Sequence, residues 1–232
     1  MALPYFFEAD LLHASQLVLS EETSKHCVQV LRMKAGEPLQ LTDGKGHLIT
    51  AAITEADKKQ CVVTVTQTQF TERPARRVCI AISLLKNANR FEWFLEKATE
   101  MGVAEIVPLL CARTEKQRFR WDRMQHILVA AMLQSEQTWL PVLHEPKSVD
   151  EVIASTTYGQ KLVAHCAEQM KQSINELPVS NDVQLLIGPE GDFTLTEIQM
   201  ALTHGFEAVT LGNTRLRTET AGVVASALLI NR

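Results

Sequence analysis

The sequence predicts an α/β protein, with a small β-rich domain over residues 1–71 followed by a larger parallel α/β domain over residues 72–232. Three observations carry this. Before residue 71, short stretches of alternating hydrophobicity are separated by turn residues, the pattern of a small barrel. Around Thr71-Glu72-Arg73-Pro74-Ala75-Arg76-Arg77 the composition becomes polar and charged, which marks a boundary. Beyond it, continuous apolar runs alternate with amphipathic stretches of helical period, and that alternation implies a parallel sheet covered on both faces.

Taken in order, residues 37–50 read as a strand, a turn at Asp43-Gly44 and a second strand, because Asp-Gly supplies the positive φ that tight hairpins need. A turn at Asp57-Lys58-Lys59 leads into a strand in which Cys61, Val63 and Val65 share one face. Residues 78–85 form an apolar run typical of a buried parallel strand. Residues 89–101 read as a helix with Phe91, Phe94, Leu95 and Ala98 on its inner face and Gly102 at its left-handed end. A strand at Ile106 to Leu110 and a helix from Trp121 to about Ser135 follow. Ser148 and Glu151 have capping-box spacing, and so do Thr194 and Glu197, whose helix ends at Gly205. Strands at 161–165, 183–187 and 208–211 and a last helix over 218–230 complete the pattern.

Of 232 residues, 46% are hydrophobic, enough for substantial cores. No segment approaches the roughly 20 continuous apolar residues that span a bilayer, and the N-terminal residues lack a signal peptide's basic and apolar regions. No membrane partner is expected. Five widely spaced cysteines with no CxxC pair favour neither a metal site nor a disulfide framework, and a reducing, cytoplasmic location is expected. The net charge of -4 argues weakly against nucleic acid. Residues 73–123, however, hold 11 Lys and Arg against 6 Asp and Glu, so a local basic face is available for phosphates. A merely solvated basic surface explains that excess equally well.

Two strand-to-helix junctions concentrate chemistry where ligands of parallel sheets sit, beyond the carboxyl ends of the strands. The first is Leu186-Ile187-Gly188-Pro189-Glu190-Gly191-Asp192-Phe193-Thr194. Its glycines permit close backbone approach and the following helix start exposes N–H groups. It is neither a Walker loop nor a GxGxxG fingerprint, and a plain tight turn accounts for it as well as a binding loop does. The second is Leu211-Gly212-Asn213-Thr214-Arg215-Leu216-Arg217-Thr218-Glu219-Thr220-Ala221, where helix capping by Thr218 with solvated arginines is the bland alternative.

Together, IGPEG-x-F-x-x-x-E and LG-x-x-x-LRTETA closely resemble the small-subunit (16S) ribosomal RNA uridine-N3 methyltransferase family, within the SPOUT class of knotted methyltransferases. The resemblance covers nearly the whole chain. His26 with Val30-Leu31-Arg32, and Asp43-Gly44-x-Gly46, resemble that family's N-terminal PUA-like β-barrel. Lys86, Glu92, Lys97, Thr99-Glu100-x-Gly102-Val103 and Pro108 resemble its first helix and second strand, and Gln134-Ser135 with Pro141 a weaker middle motif. The chain departs from the pattern where Asp192 replaces a glycine, where Thr214 replaces a basic residue, and where Leu133, Glu136 and Gln137 replace Glu, Gly and Arg.

The resemblance implies a C-terminal α/β domain with a deep trefoil knot, a homodimer, and an S-adenosylmethionine site. The cofactor residues it implies are His165, Ile187, Gly188, Pro189, Glu190, Gly191, Leu211, Gly212, Leu216 and Thr218. Arg217 is the candidate cation for a uridine anion, and Glu219 either a base or, by preference, the residue that orients Arg217. Arg32, Lys86, Arg90 and Arg113, with Arg118, Arg120 and Arg123, are candidates for ribosomal RNA or the small ribosomal subunit. Trp93 and Trp139 suit core or interface roles better than base stacking. Rival readings are a different knotted methyltransferase acting on a ribose oxygen or on transfer RNA, a non-catalytic RNA-binding or assembly factor, and a dinucleotide oxidoreductase, the last without its glycine fingerprint.

Overall fold

The computed structural model describes residues 3–11, 14–115, 119–167, 170–178 and 180–231, so Arg118 lies outside it. The chain divides into two compact units, Met1–Arg73 with Met132–Leu140, and Pro74–Ala131 with Pro141–Arg232.

In the first unit, β1 (Tyr5–Phe7), β2 (Gln16–Val18), β3 (Pro38–Thr42), β4 (His47–Glu55) and β5 (Val62–Phe70) form one sheet in the order β1-β3-β4-β5-β2. Only the β1–β3 pair is parallel. The alternating residues Leu39, Leu41, Ile49, Ala51, Ile53, Cys61 and Val63 turn inward and bury one core with Phe6, Leu17, Cys27 and Met33. The β3–β4 turn has positive φ at Gly44 and Gly46, as the Asp-Gly signal requires. Three features depart from the expected barrel. Among the described residues no ladder joins β1 to β2. A short helix α1 (Glu21–Lys25), capped by Ser20, runs into a π-helix over His26–Val30 in a domain expected to be mostly β. Finally, residues 132–140, expected in the C-terminal domain, pack with the first unit. The β3–β4 turn recruits them through Gly46 N–H to Thr138 O at 2.9 Å and Leu140 N–H to Gly44 O at 2.8 Å, and Tyr5 donates to Gln137 O at 2.8 Å.

The second unit is a parallel sheet between helical layers. Its elements are β6 (Arg77–Ser83), α2 (Ala88–Glu100), β7 (Glu105–Leu110), α3 (Trp121–Gln134), β8 (Val142–Leu143), β9 (Lys147–Ser148), α4 (Val149–Ser155), β10 (Gln160–Ala164), β11 (Gln172–Ser173), β12 (Asp182–Ile187), α5 (Leu195–Thr203), β13 (Glu207–Thr210) and α6 (Thr218–Ile230). Strand order is β11-β13-β10-β12-β6-β7-β8, with β9 also on β7. Cys79 and Ala81 of β6 face a core built with Val152 and Ile153 of α4 and Ile198 and Ala201 of α5. On the opposite face α6 packs on α2, β6 and β12. Its Gly222 makes this approach possible, since a Cβ there would stand 2.6 Å from the Phe94 ring and 2.9 Å from Ile82.

The expected core face of α2, Phe91, Phe94, Leu95 and Ala98, is buried, and Gly102 ends the helix at φ 85°. The Thr194–Glu197 capping box forms with both reciprocal bonds. At Ser148 only the Glu151 N–H bond to the Ser148 hydroxyl forms. Among the described residues no helix is long and apolar enough to cross a membrane, and no His, Cys, Asp and Glu cluster could hold a metal ion.

Candidate active site

The loops that follow β10, β12 and β13 converge on a cavity of about 370 Å³ in the second unit. The placement follows from the topology, because these three parallel strands are adjacent and their carboxyl ends open on the same side. From the first loop comes His165; from the second, Ile187, Gly188, Pro189 and Glu190; from the third, Leu211, Gly212, Leu216, Arg217 and Thr218. Of the residues expected to hold a cofactor, Gly191 alone is not on the wall.

The second loop is braced from several directions. Gly188 is buried, and a Cβ there would stand 3.0 Å from Phe193 N and 3.1 Å from its ring, so the turn closes because no side chain occupies 188. The Thr218 hydroxyl donates to Gly188 O at 3.0 Å and ties the start of α6 to this turn. Arg113 donates to Gly191 O at 2.7 Å and to Phe193 O at 3.4 Å. A residue expected to contact RNA thus spends one guanidinium nitrogen supporting the loop. Glu197 adds a further tie by accepting from Ala112 N–H at 2.8 Å.

Asp192, where the resemblance leads one to expect glycine, keeps a glycine-like φ of 64°. Its carboxylate accepts from its neighbour Phe193 N–H at 2.8 Å and from Cys166 N–H at 2.8 Å. The second bond clasps the β10 loop to the β12 loop. Cys166, Thr214 and Arg215 line the cavity from loops expected to enclose the cofactor, and so do Asp192, Thr210 and Ala221, which the sequence reading had not placed there. The signal available for them was adjacency to the two motifs.

His165 is 7% exposed, and neither ring nitrogen has a hydrogen-bond partner among the described residues. Burial and the nearby Lys171 charge hold its pKa below the ordinary histidine value, with Asp192 pulling the other way, so the ring is neutral near pH 7. Lys171 itself donates to the His165 and Ala167 carbonyls at 3.1 and 2.9 Å.

Arg217 is the N-cap residue of α6, exposed, on the cavity wall, and without an ion pair or side-chain hydrogen bond among the described residues. The Arg217–Glu219 contact expected from sequence is not what forms. Glu219 is 6% exposed and off the cavity wall. Its Oε1 lies 3.6 Å from Arg90 Nε, while Oε2 has no partner among the described residues. In the first turn of α6, residues two apart do not face one another, and Glu219 instead meets the first turn of α2. Arg90 is therefore drawn inward rather than left for phosphate. Of the other basic candidates, Lys86 pairs with exposed Glu115 at 3.0 Å. Arg123 forms a bidentate pair with Glu92 at 2.5 and 2.7 Å, which lowers the Glu92 pKa, and Arg120 approaches the same carboxylate at 3.6 Å. Arg32 is exposed in the first unit, just after the π-helix, at φ 57°.

Residues 71–230 match the family described as RNA methyltransferase domain, and residues 19–66 the RNA methyltransferase PUA domain. A Synechocystis protein named ribosomal RNA small subunit methyltransferase E is 30% identical over 86% of this chain and 67% of its own length. Among solved structures, a probable rRNA-methyltransferase from Porphyromonas gingivalis superimposes with a TM-score of 0.90 at 39% identity, covering 97% of this chain and 95% of that one. The ribosomal RNA small subunit methyltransferase E of Neisseria gonorrhoeae, bound to S-adenosyl methionine, gives 0.87 at 28% identity, with 97% and 96% covered. The chain belongs to this family, the RNA methyltransferases of the small-subunit ribosomal RNA methyltransferase E type with an N-terminal PUA domain.

Proposed function

We propose that the chain is an S-adenosylmethionine-dependent methyltransferase that methylates N3 of a uridine in small-subunit (16S) ribosomal RNA. The observation that carries the reading is the cavity beyond β10, β12 and β13, with an unpaired arginine on its wall. Its residues suit that cofactor. A volume of about 370 Å³ falls within the range of small-molecule sites. Gly188 keeps the turn free of a side chain, the neutral His165 ring has two uncommitted nitrogens, and Glu190 and Asp192 bring negative charge to a site for a cationic ligand. When bound, S-adenosylmethionine supplies a methyl group already activated by its positive sulfur.

The chain's residues have two tasks, to align the uracil and to make N3 nucleophilic. Arg217 favours loss of the N3 proton by stabilising the negative charge that spreads onto the flanking carbonyls. Glu219 is a positioning residue, holding Arg90 at the junction of α2 and α6. The walls of the three loops exclude water, and the target base must be unstacked to enter.

In this reading the first unit grips RNA, with Arg32 there and Lys86 and Arg113 in the second unit as its basic contacts, while Arg90 is held by Glu219. A trefoil knot is supported by the return path of the chain. Strand β13 lies outside β10, yet the following helix α6 packs on β12, β6 and α2. A homodimer rests on the resemblance of the motifs, and a cytoplasmic location on the five widely spaced cysteines with no CxxC pair.

Methylation of small ribosomal subunits, followed by nucleoside analysis, tests the reading. The wild type is expected to yield 3-methyluridine, and Arg217→Ala to lower kcat by about 10²-fold, in line with loss of one preorganised charge-stabilising donor. Methyl transfer to another nucleoside atom, or an unaffected Arg217→Ala, contradicts it.

A further inference from the structure

The first unit carries an aromatic surface that the cavity chemistry does not use. Phe70, the last residue of β5, is 52% exposed. The His47 ring lies 5.0 Å from it, centroid to centroid, and the Trp139 ring 6.2 Å on another side at an interplanar angle of 75°. The Arg73 guanidinium sits 5.3 Å over the Trp139 ring. The exposed Lys45 lies in the same turn as His47.

The fold holds this cluster firmly. Asp43 accepts from His47 Nδ1 at 2.7 Å and from Lys45 N–H at 2.7 Å. Trp139 Nε1–H donates to Thr71 O at 2.9 Å, and Lys45 pairs with Trp139 in an isolated antiparallel bridge. At Gly46, with φ 97°, a Cβ would stand 2.7 Å from both the Thr71 carbonyl and Trp139, and 2.9 Å from Phe70. The rings are packed so closely that only glycine fits between them, yet half of Phe70 stays open. A large apolar side chain kept in water by a rigid frame, with exposed Arg73 and Lys45 beside it and the Asp43 carboxylate already engaged by His47 and the Lys45 N–H, matches the two needs of single-stranded nucleic acid. Those are a π-face for a base and cations for the adjoining phosphates.

We propose that Phe70, framed by His47 and Trp139, is a stacking platform for an unpaired base of the RNA substrate, with Arg73 and Lys45 contacting the neighbouring phosphates. This deepens the functional reading above and rests on it for the identity of the RNA.

The test uses the full chain and a fluorescein-labelled single-stranded oligoadenylate of 12 nucleotides, read by anisotropy. Phe70→Ala is expected to weaken binding about tenfold and Phe70→Leu nearly as much, whereas Phe70→Trp retains it, because stacking needs an aromatic face rather than apolar bulk. Arg73→Gln is expected to lower the slope of log Kd against log salt by about one phosphate's worth. Wild-type affinity in Phe70→Ala, or full affinity in Phe70→Leu, overturns the proposal. S-adenosylmethionine titration of each variant separates the two readings. Phe70→Ala binds cofactor like wild type if the platform is what was lost, while a wild type that binds the oligonucleotide but no cofactor counts against the enzyme reading alone.

Discussion

Asp192 shows how much one side chain does at the cavity. It holds a left-handed backbone conformation that disfavours most residues by roughly 1–2 kcal/mol and that Asp tolerates better than most, and it offsets that strain by joining two loops through Cys166 N–H. Glu136 repeats the pattern at φ 54°, again where the resemblance leads one to expect glycine. Asp192→Ala is expected to lower stability by about 1–2 kcal/mol, and Asp192→Gly by less, since glycine loses the clasp but not the backbone freedom. Urea midpoints at constant m-value check this order, and an alanine variant as stable as wild type refutes the clasp. His165 sets a pH dependence. Its folded pKa lies below the ordinary value of 6.5, from burial first and the Lys171 charge second. As pH falls through 6.5 the unfolded chain takes up this proton before the folded one, so stability present above pH 6.5 is progressively lost below it. Denaturant titrations at pH 7.5 and 5.5 are expected to show a smaller acid-side loss in His165→Asn than in wild type.

At the scale of elements, packing on α6 limits what the second unit tolerates. Gly222→Ala places a methyl group 2.6 Å from Phe94 and 2.9 Å from Ile82, both deep in the α2–β6 face. The expected cost is about 1–3 kcal/mol, the range for overpacking a tight core, seen as a lowered thermal midpoint; an unchanged midpoint contradicts this close approach. The long elements were legible because each carries a local signal, such as the buried apolar run of β12 or the capping residues of α5. The short ones were not. Strands β8, β9 and β11 have two residues each, too few for any periodicity. Helix α1 and the π-helix bury only Thr23, Ser24 and Cys27, which leaves no apolar stripe to read. Of the candidate site, the two loops were legible as contiguous motifs. The Arg90–Glu219 pair and the Asp192–Cys166 clasp were not, since each joins residues that only the fold brings together.

For the whole molecule, residues 132–140 carry the main lesson about domains. They begin in the last turn of α3, a helix that starts in the second unit, and their composition marks no boundary, yet Thr138 and Leu140 hydrogen-bond to the β3–β4 turn. A break at one point in the sequence therefore misses a unit completed by a distant segment. The parallel sheet has the opposite character. Strand order alone brings three loops from residues 165 to 218 around one cavity. The central claim is that this cavity takes S-adenosylmethionine. Calorimetric titration of the cofactor into the full chain, with Gly188→Trp alongside and the fold of both verified by circular dichroism, tests it most directly. The account predicts saturable binding by the wild type and its loss in the folded variant, whose indole has no room in the turn beside Phe193. A well-folded wild type that binds no S-adenosylmethionine would contradict it.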